Sequence, residues 1–97
     1  MAQQALLEQR SRARHLVPLT VYDRVTGRLL GCTDNVHEGG LMLVSKNPVS
    51  VKKEIQIILE VPGQATMEKV SLDTFTAWSS ISDSQPTFYY TGFYFIS

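Results

Sequence analysis

The sequence predicts an all-β protein, a small six-stranded antiparallel barrel with a flexible N-terminal arm. Three observations support this fold class. Apolar residues recur with a period of two along much of the chain, turn-forming residues separate the short apolar stretches, and 97 residues fit a single domain. Closure into a barrel is favoured because it removes exposed strand edges, and a two-sheet sandwich is the alternative.

The N-terminal arm is assigned to residues 1–15 and the barrel to residues 16–97. Residues 2–9 are good helix formers, but so short a segment cannot hold a helix alone in water. After His15 the pattern changes to the two-residue period of a strand. The boundary of the barrel is therefore placed at this change.

The first half of the barrel is predicted from one alternating stretch, two turns and one apolar stretch. Val17, Leu19 and Val21 share one face of a first strand. A turn at 24–27 ends in glycine, and residues 28–34 form a returning strand. Residues 35–40 are predicted as a second turn, because asparagine and glycine favour turns, and residues 41–44 as a third strand.

The second half contains the clearest alternation. The fourth strand carries four apolar residues on one face, namely Ile55, Ile57, Leu59 and Val61. Proline and glycine at 62–63 end this strand, and residues 69–81, which include Trp78, form the fifth. A polar loop at 82–86 leads to an aromatic sixth strand at 88–96 with Gly92 inside it.

Charge and cysteine content limit the possible functions. The formal net charge is zero, but residues 1–15 carry +2, from three arginines and one glutamate, and the remainder carries −2. Proteins that bind long polyanions usually carry a broad positive excess, so a small anionic ligand fits better than nucleic acid. Cys32 is the single cysteine, which excludes an internal disulfide. Without an apolar run long enough for a membrane helix or a signal peptide, a cytoplasmic location is expected, with no membrane insertion.

Two polar clusters lie on either side of the first predicted hairpin. The first contains Arg10, Arg12 and Arg14 and precedes the first strand. The second runs from Asp34 to Gly40 and precedes the third strand. This arrangement resembles the PilZ domain family, whose motifs are RxxxR and, further along the chain, [D/N]xSxxG.

The residues match the family motifs at nearly every fixed position. Arg10 and Arg14 supply the first motif, and Asn35, His37 and Gly40 occupy the fixed positions of the second. Gly39 provides the additional glycine that the family usually carries. The pair at 77–78 and residues 91–95 also look like the closing strands of the family, so the resemblance covers nearly the whole chain from residue 10 onward.

The resemblance implies a bacterial second-messenger receptor that binds cyclic di-GMP and has no cofactor. Arginine suits this ligand, because its planar guanidinium can bind phosphate oxygens or guanine O6 and N7 in pairs. Asn35 can offer a donor and an acceptor to a base edge, and Gly39 and Gly40 permit positive φ and close backbone approach. Arg12, Asp34 and Trp78 are secondary candidates, although the side chain of Asp34 is expected to alternate away from that of Asn35.

The resemblance also implies a mode of signalling. The ligand orders the arm, and the changed surface is presented to an unidentified downstream protein. The histidine at position 37 departs from the family's serine. It can replace the hydrogen bond of a serine or fill the space of a base, so the alternative is a degenerate PilZ domain that acts only as a protein adaptor. A barrel that binds single-stranded nucleic acid is a second rival, disfavoured by the zero net charge.

Catalysis has little support in the sequence. Cys32 and His37 show no sign of an activated pair, and one cysteine with two histidines does not form a metal-binding spacing. The carboxylates form no evident constellation, and phosphate-binding glycine motifs are absent. We therefore expect neither an enzyme nor a metal site.

Overall fold

The computed structural model describes residues 18–96, and all regular structure in this range is β-strand. The strands are β1 (Thr20–Asp23), β2 (Leu29–His37), β3 (Gly40–Ser45), β4 (Glu54–Pro62), β5 (Met67–Ile81) and β6 (Tyr89–Phe95). The predicted arm, residues 1–15, lies outside the described residues.

The six strands form a closed antiparallel barrel in the order β1-β2-β3-β6-β5-β4. Every neighbouring pair is antiparallel, including the pair of β1 and β4 that closes the barrel. The predicted all-β barrel is therefore confirmed, and the sandwich alternative is wrong.

The inward face of the strands forms one apolar core. Its buried members are Leu19, Val21, Leu41, Leu43, Ile57, Leu59, Val61, Val70, Leu72 and Phe93. The predicted alternation is confirmed for Leu19 and Val21 in the first strand and for Ile57, Leu59 and Val61 in the fourth, since all five are buried. Ile55 is half-buried against the same core, and Val17 lies outside the described residues. Complete burial of such a side chain contributes roughly 1.5–3 kcal/mol, so the core is the main stabilising feature of the barrel.

The turn between β1 and β2 is where the sequence predicts it. The backbone N–H of Gly27 donates to the carbonyl oxygen of Asp23 at 2.8 Å. Gly27 has a φ of 77°, a conformation that residues with a Cβ atom rarely adopt. The carboxylate of Asp23 accepts a further bond from the N–H of Val25 at 2.8 Å, which stabilises the turn.

The turn between β2 and β3 is shorter than predicted. Asn35 and His37 belong to β2, and only Glu38 and Gly39 connect the strands. The prediction of a turn over 35–40 is therefore wrong. The cause is a bulge in β2 between Thr33 and Asn35, which shifts the register and lets β2 keep pairing with β3 as far as Gly40.

The same bulge changes the direction of one candidate side chain. Asp34 is the extra residue of the bulge, and both Asp34 and Asn35 are exposed. The expectation that their side chains alternate between faces is wrong, because a bulge interrupts the two-residue period.

Candidate functional site

The β2–β3 hairpin presents two of the candidate side chains to solvent. Asn35 and His37 are both exposed near the end of β2. The backbone N–H of Gly39 donates to Nδ1 of His37 at 3.1 Å, so the histidine side chain supplies an acceptor for one backbone donor of the short turn. Because Nδ1 accepts this bond, a neutral His37 carries its proton on Nε2, which remains a donor.

The two candidate glycines have different structural roles, and neither has positive φ. A Cβ atom at Gly40 would collide with the carbonyl oxygen of Phe93, so this position needs glycine for the close approach of β3 and β6. A Cβ atom at Gly39 would meet only the His37 ring, 3.4 Å from Cε1. The left-handed conformation that glycine permits is thus not used here, whereas close backbone approach is.

Asn35 and Trp78 lie in one row that crosses four strands on the outer face of the barrel. Asn35 pairs with Met42 on β3, Met42 pairs with Gly92 on β6, and Gly92 pairs with Trp78 on β5. The buried neighbours Leu41 and Phe93 point inward, so this row faces outward. Three strand spacings separate the ends of the row, about 14 Å measured along the curved wall of the barrel.

The indole of Trp78 extends along this row. A Cβ atom at Gly92 would overlap Nε1 and Cε2 of the indole, which shows that the ring covers the Gly92 backbone. The side chain remains 43% exposed. Tyr94, which is 55% exposed, occupies the next row beside Gly40. Aromatic surface therefore lies beside the Asn35 hairpin.

Met42 and Gly92 were not among the candidates drawn from the sequence. Their place depends on the register of β3 against β6, which pairs residues distant in the chain. The alternation of buried Leu41 and Leu43 around Met42 was a local signal that Met42 faces outward. Nothing local indicated that Met42 and Gly92 lie between Asn35 and Trp78.

The outer face around this row carries no cation in the described part of the chain. Strands β3 and β6 and residues 74–81 of β5 contain no charged residue. The charged residues nearest in sequence to Asn35 and His37 are Asp34 and Glu38, both acidic. An anionic ligand on this face would need cations from elsewhere, and Arg10, Arg12 and Arg14 lie outside the described residues.

The described chain enters the barrel beside the Asn35 hairpin. The backbone N–H of Leu19 donates to Oγ1 of Thr33 at 2.9 Å, and the N–H of Thr33 donates to the carbonyl oxygen of Leu19 at 2.9 Å. Thr33 is buried and only two residues before Asn35. Pro18, the first described residue, is thus anchored next to this part of β2.

Two clefts open elsewhere on the barrel. One has a volume of about 590 Å³ and lies between residues 23–30 and residues 47–56. The other, about 390 Å³, is lined by residues that include Cys32, Val44 and Phe88. Neither of these two clefts includes Asn35, His37 or Trp78. Within residues 18–96, no group of three or more His, Cys, Asp and Glu side chains could hold a metal ion.

The fold and the outer face together define a small closed β-barrel with a charge-free aromatic surface beside a polar hairpin. Comparison of the chain with models of protein families, with curated proteins and with solved structures found no match. No helix in the described range is long and apolar enough to cross a membrane.

Proposed function

We propose that this protein is a cyclic di-GMP receptor of the PilZ type, and that it is not an enzyme. In this proposal, Arg10 and Arg14 bind the ligand from the arm, while Asn35, His37 and the backbone at Gly39 and Gly40 contact it from the barrel. Signalling then follows when the ordered arm alters the surface seen by a downstream protein.

The anchoring of Leu19 against Thr33 is the observation that carries the proposal. Arg14 is four residues before Pro18, and an extended chain spans at most about 3.3–3.6 Å per residue. The Arg14 backbone is therefore within roughly 14 Å of Pro18, and the long arginine side chain adds to this reach. Both motifs can thus meet on the surface beside Asn35.

The charge distribution supports separate roles for the arm, which binds phosphate, and the barrel, which contacts the bases. Cyclic di-GMP carries two phosphodiesters, and the barrel face offers aromatic and amide groups without a cation. Arginines would have to supply the phosphate contacts. Trp78 offers a partly exposed indole in the same outward row, three strands from Asn35, where a guanine could stack.

The histidine at position 37 is compatible with this proposal. Its Nδ1 atom accepts a hydrogen bond from the N–H two residues later, as serine hydroxyls do in short turns. The turn is therefore closed without a serine. The Nε2–H group is left as a donor for a phosphate oxygen or for guanine.

The acidic residue beside Asn35 favours a second candidate function, a PilZ-like adaptor that binds no nucleotide. The face between Asn35 and Trp78 includes no part of either cleft. The exposed carboxylate of Asp34 would repel a phosphate that the arm did not neutralise. In this alternative, the aromatic face itself contacts a protein.

Titration with cyclic di-GMP tests the proposal, with binding followed by calorimetry and by the emission of Trp78, the single tryptophan. We expect wild type to bind in the micromolar range or tighter. Arg10→Ala and Arg14→Ala should each weaken binding by about 1.5–3 kcal/mol, as for hydrogen bonds to charged groups. Arg28→Ala removes the same charge from the β1–β2 turn and serves as the matched control, with unchanged affinity expected.

The outcomes separate the candidates. Failure of the folded wild-type protein to bind cyclic di-GMP would support the adaptor. Equal losses for Arg28→Ala and Arg14→Ala would show that only net charge matters. Tight binding to single-stranded oligonucleotides with a steep salt dependence would instead support nucleic-acid binding.

A further inference from the structure

The cations of the described chain are concentrated in two segments. Residues 24–28 and 46–53 together contain five of the six lysines and arginines in residues 18–96, and no carboxylate. The rest of that range contains Lys69 and eight carboxylates. We call the two segments the basic rim. It carries +5, whereas the other described residues carry −7, from one cation and eight carboxylates.

Residues from both segments of the basic rim line the cleft of about 590 Å³. Arg28 and Lys53 are the two cations of the lining. No ion pair joins either of them to a carboxylate among the described residues. Two acidic residues, Asp23 and Glu54, also line the cleft, and they reduce the charge of the cleft and its rim from +5 to +3. Oδ1 of Asp23 accepts N–H bonds from Val25 and Thr26.

The floor of the cleft is apolar and belongs to the barrel. Leu30, Val49 and Ile55 line the cleft and pack against the buried core. At the cleft wall, Leu29 and Val25 expose 63% and 78% of their surface. The cleft volume lies within the range of 300–1,000 Å³ that is usual for ligand sites. Because its floor is apolar and packs against the core, the cleft can hold an apolar side chain.

The loop that carries all three lysines of the rim is held in place by β5. Oγ1 of Thr76 donates to the carbonyl oxygen of Ser50 at 2.8 Å, and the N–H of Lys52 donates to the carbonyl oxygen of Thr76 at 2.6 Å. Lys52 has a φ of 62°, which is uncommon for a residue with a side chain. The rim is therefore preformed, which lowers the entropic cost of binding.

We propose that this cleft binds an acidic peptide segment of a partner protein, with carboxylates against the basic rim and one apolar side chain in the cleft. Charge complementarity identifies the chemistry of the partner. The concave apolar floor favours a peptide over the surface of an anionic membrane, which would need no such cavity. This inference does not depend on the nucleotide proposal, since the rim and the Asn35 hairpin share no residue.

A synthetic peptide provides the test. The probe is a fluorescein-labelled twelve-residue peptide with glutamates on both sides of a central leucine, and its binding is followed by anisotropy at low salt. Lys53→Glu should weaken binding about tenfold, because an attraction becomes a repulsion. Lys69→Glu makes the same charge change outside the rim and should change affinity less than twofold. Replacing the peptide leucine with serine should also weaken binding about tenfold.

Three results would overturn the proposal. Equal weakening by Lys53→Glu and Lys69→Glu would mean that binding follows net charge alone. Failure of the folded wild-type protein to bind the peptide would exclude a peptide-binding site in this cleft. Binding to phosphatidylserine vesicles without binding to the peptide would assign the rim to a membrane surface. Circular dichroism of each variant confirms folding, and unchanged cyclic di-GMP affinity in Lys53→Glu would keep this test separate from that of the nucleotide site.

Discussion

The indole of Trp78 covers the backbone of Gly92 and occupies the space where any other residue at that position would place its Cβ atom. The two residues are paired across β5 and β6 just beyond a register shift between Thr76 and Trp78. This shift places the indole on the outer face rather than in the core. Gly92 thus has a defined structural role in an aromatic strand, since the absence of a side chain lets the indole pack directly on the backbone.

Gly92→Ala should displace the indole and destabilise the barrel. The added methyl group overlaps two atoms of the ring, so the ring must move away from the backbone at this position. We expect a loss of about 1–3 kcal/mol in the free energy of unfolding. Urea denaturation measures the loss, and a changed emission of the single tryptophan in the native state reports the displacement. In a Trp78→Ala background the same glycine substitution should cost much less. Equal costs in both backgrounds would contradict this contact.

Thr33→Val and Thr91→Val should differ in their effects on stability. Oγ1 of Thr33 accepts the N–H of Leu19 at 2.9 Å, and valine would leave that buried N–H without its acceptor. A loss of about 1–3 kcal/mol is expected. Oγ1 of Thr91 is buried without a hydrogen-bond partner among the described residues, so Thr91→Val should be neutral or stabilising. Thermal or urea unfolding of the two isosteric variants compares them directly, and a similar loss in both would exclude a special role for the Leu19 bond.

His37→Ser and His37→Ala should differ in the order of the β2–β3 turn. The serine hydroxyl can accept the N–H of Gly39 as Nδ1 of histidine does, whereas alanine cannot. We expect faster amide exchange at Gly39 in the alanine variant by a factor of about three to ten, the equivalent of roughly 1 kcal/mol for one hydrogen bond. Hydrogen-exchange NMR checks this. Equal exchange in the two variants would mean that the side-chain bond does not order the turn.

Alanine should be tolerated at Gly39 but not at Gly27. Gly27 has a φ of 77°, so Gly27→Ala should lower the free energy of unfolding by about 1 kcal/mol or more. Gly39 does not have positive φ, and a Cβ atom there would meet only the His37 ring at 3.4 Å. Gly39→Ala should therefore change stability by less than about 0.5 kcal/mol. A larger loss at Gly39 than at Gly27 would contradict the backbone conformations described here.

The fold class could be predicted because its signals are local. Alternation at Leu19 and Val21, and again from Ile55 to Val61, follows from the two faces of a strand, so each stretch indicates its own buried side. The glycine that ends the β1–β2 turn is also a local requirement, as the positive φ of Gly27 shows. Breaks between such stretches indicated the number of strands.

The candidate site and the basic rim depended on pairing between distant segments. The bulge at Asp34 keeps Asn35 and His37 in β2, and the register of β3, β6 and β5 brings Asn35 into one row with Trp78. Residues from 24–28 and 46–53 line one cleft only because β1 pairs with β4. The sequence by itself determined which residues face inward along the regular stretches of the strands, since that period is a property of the local backbone. The tertiary structure alone decided which outward residues meet, because bulges and register are selected by hydrogen bonds and packing with partner strands.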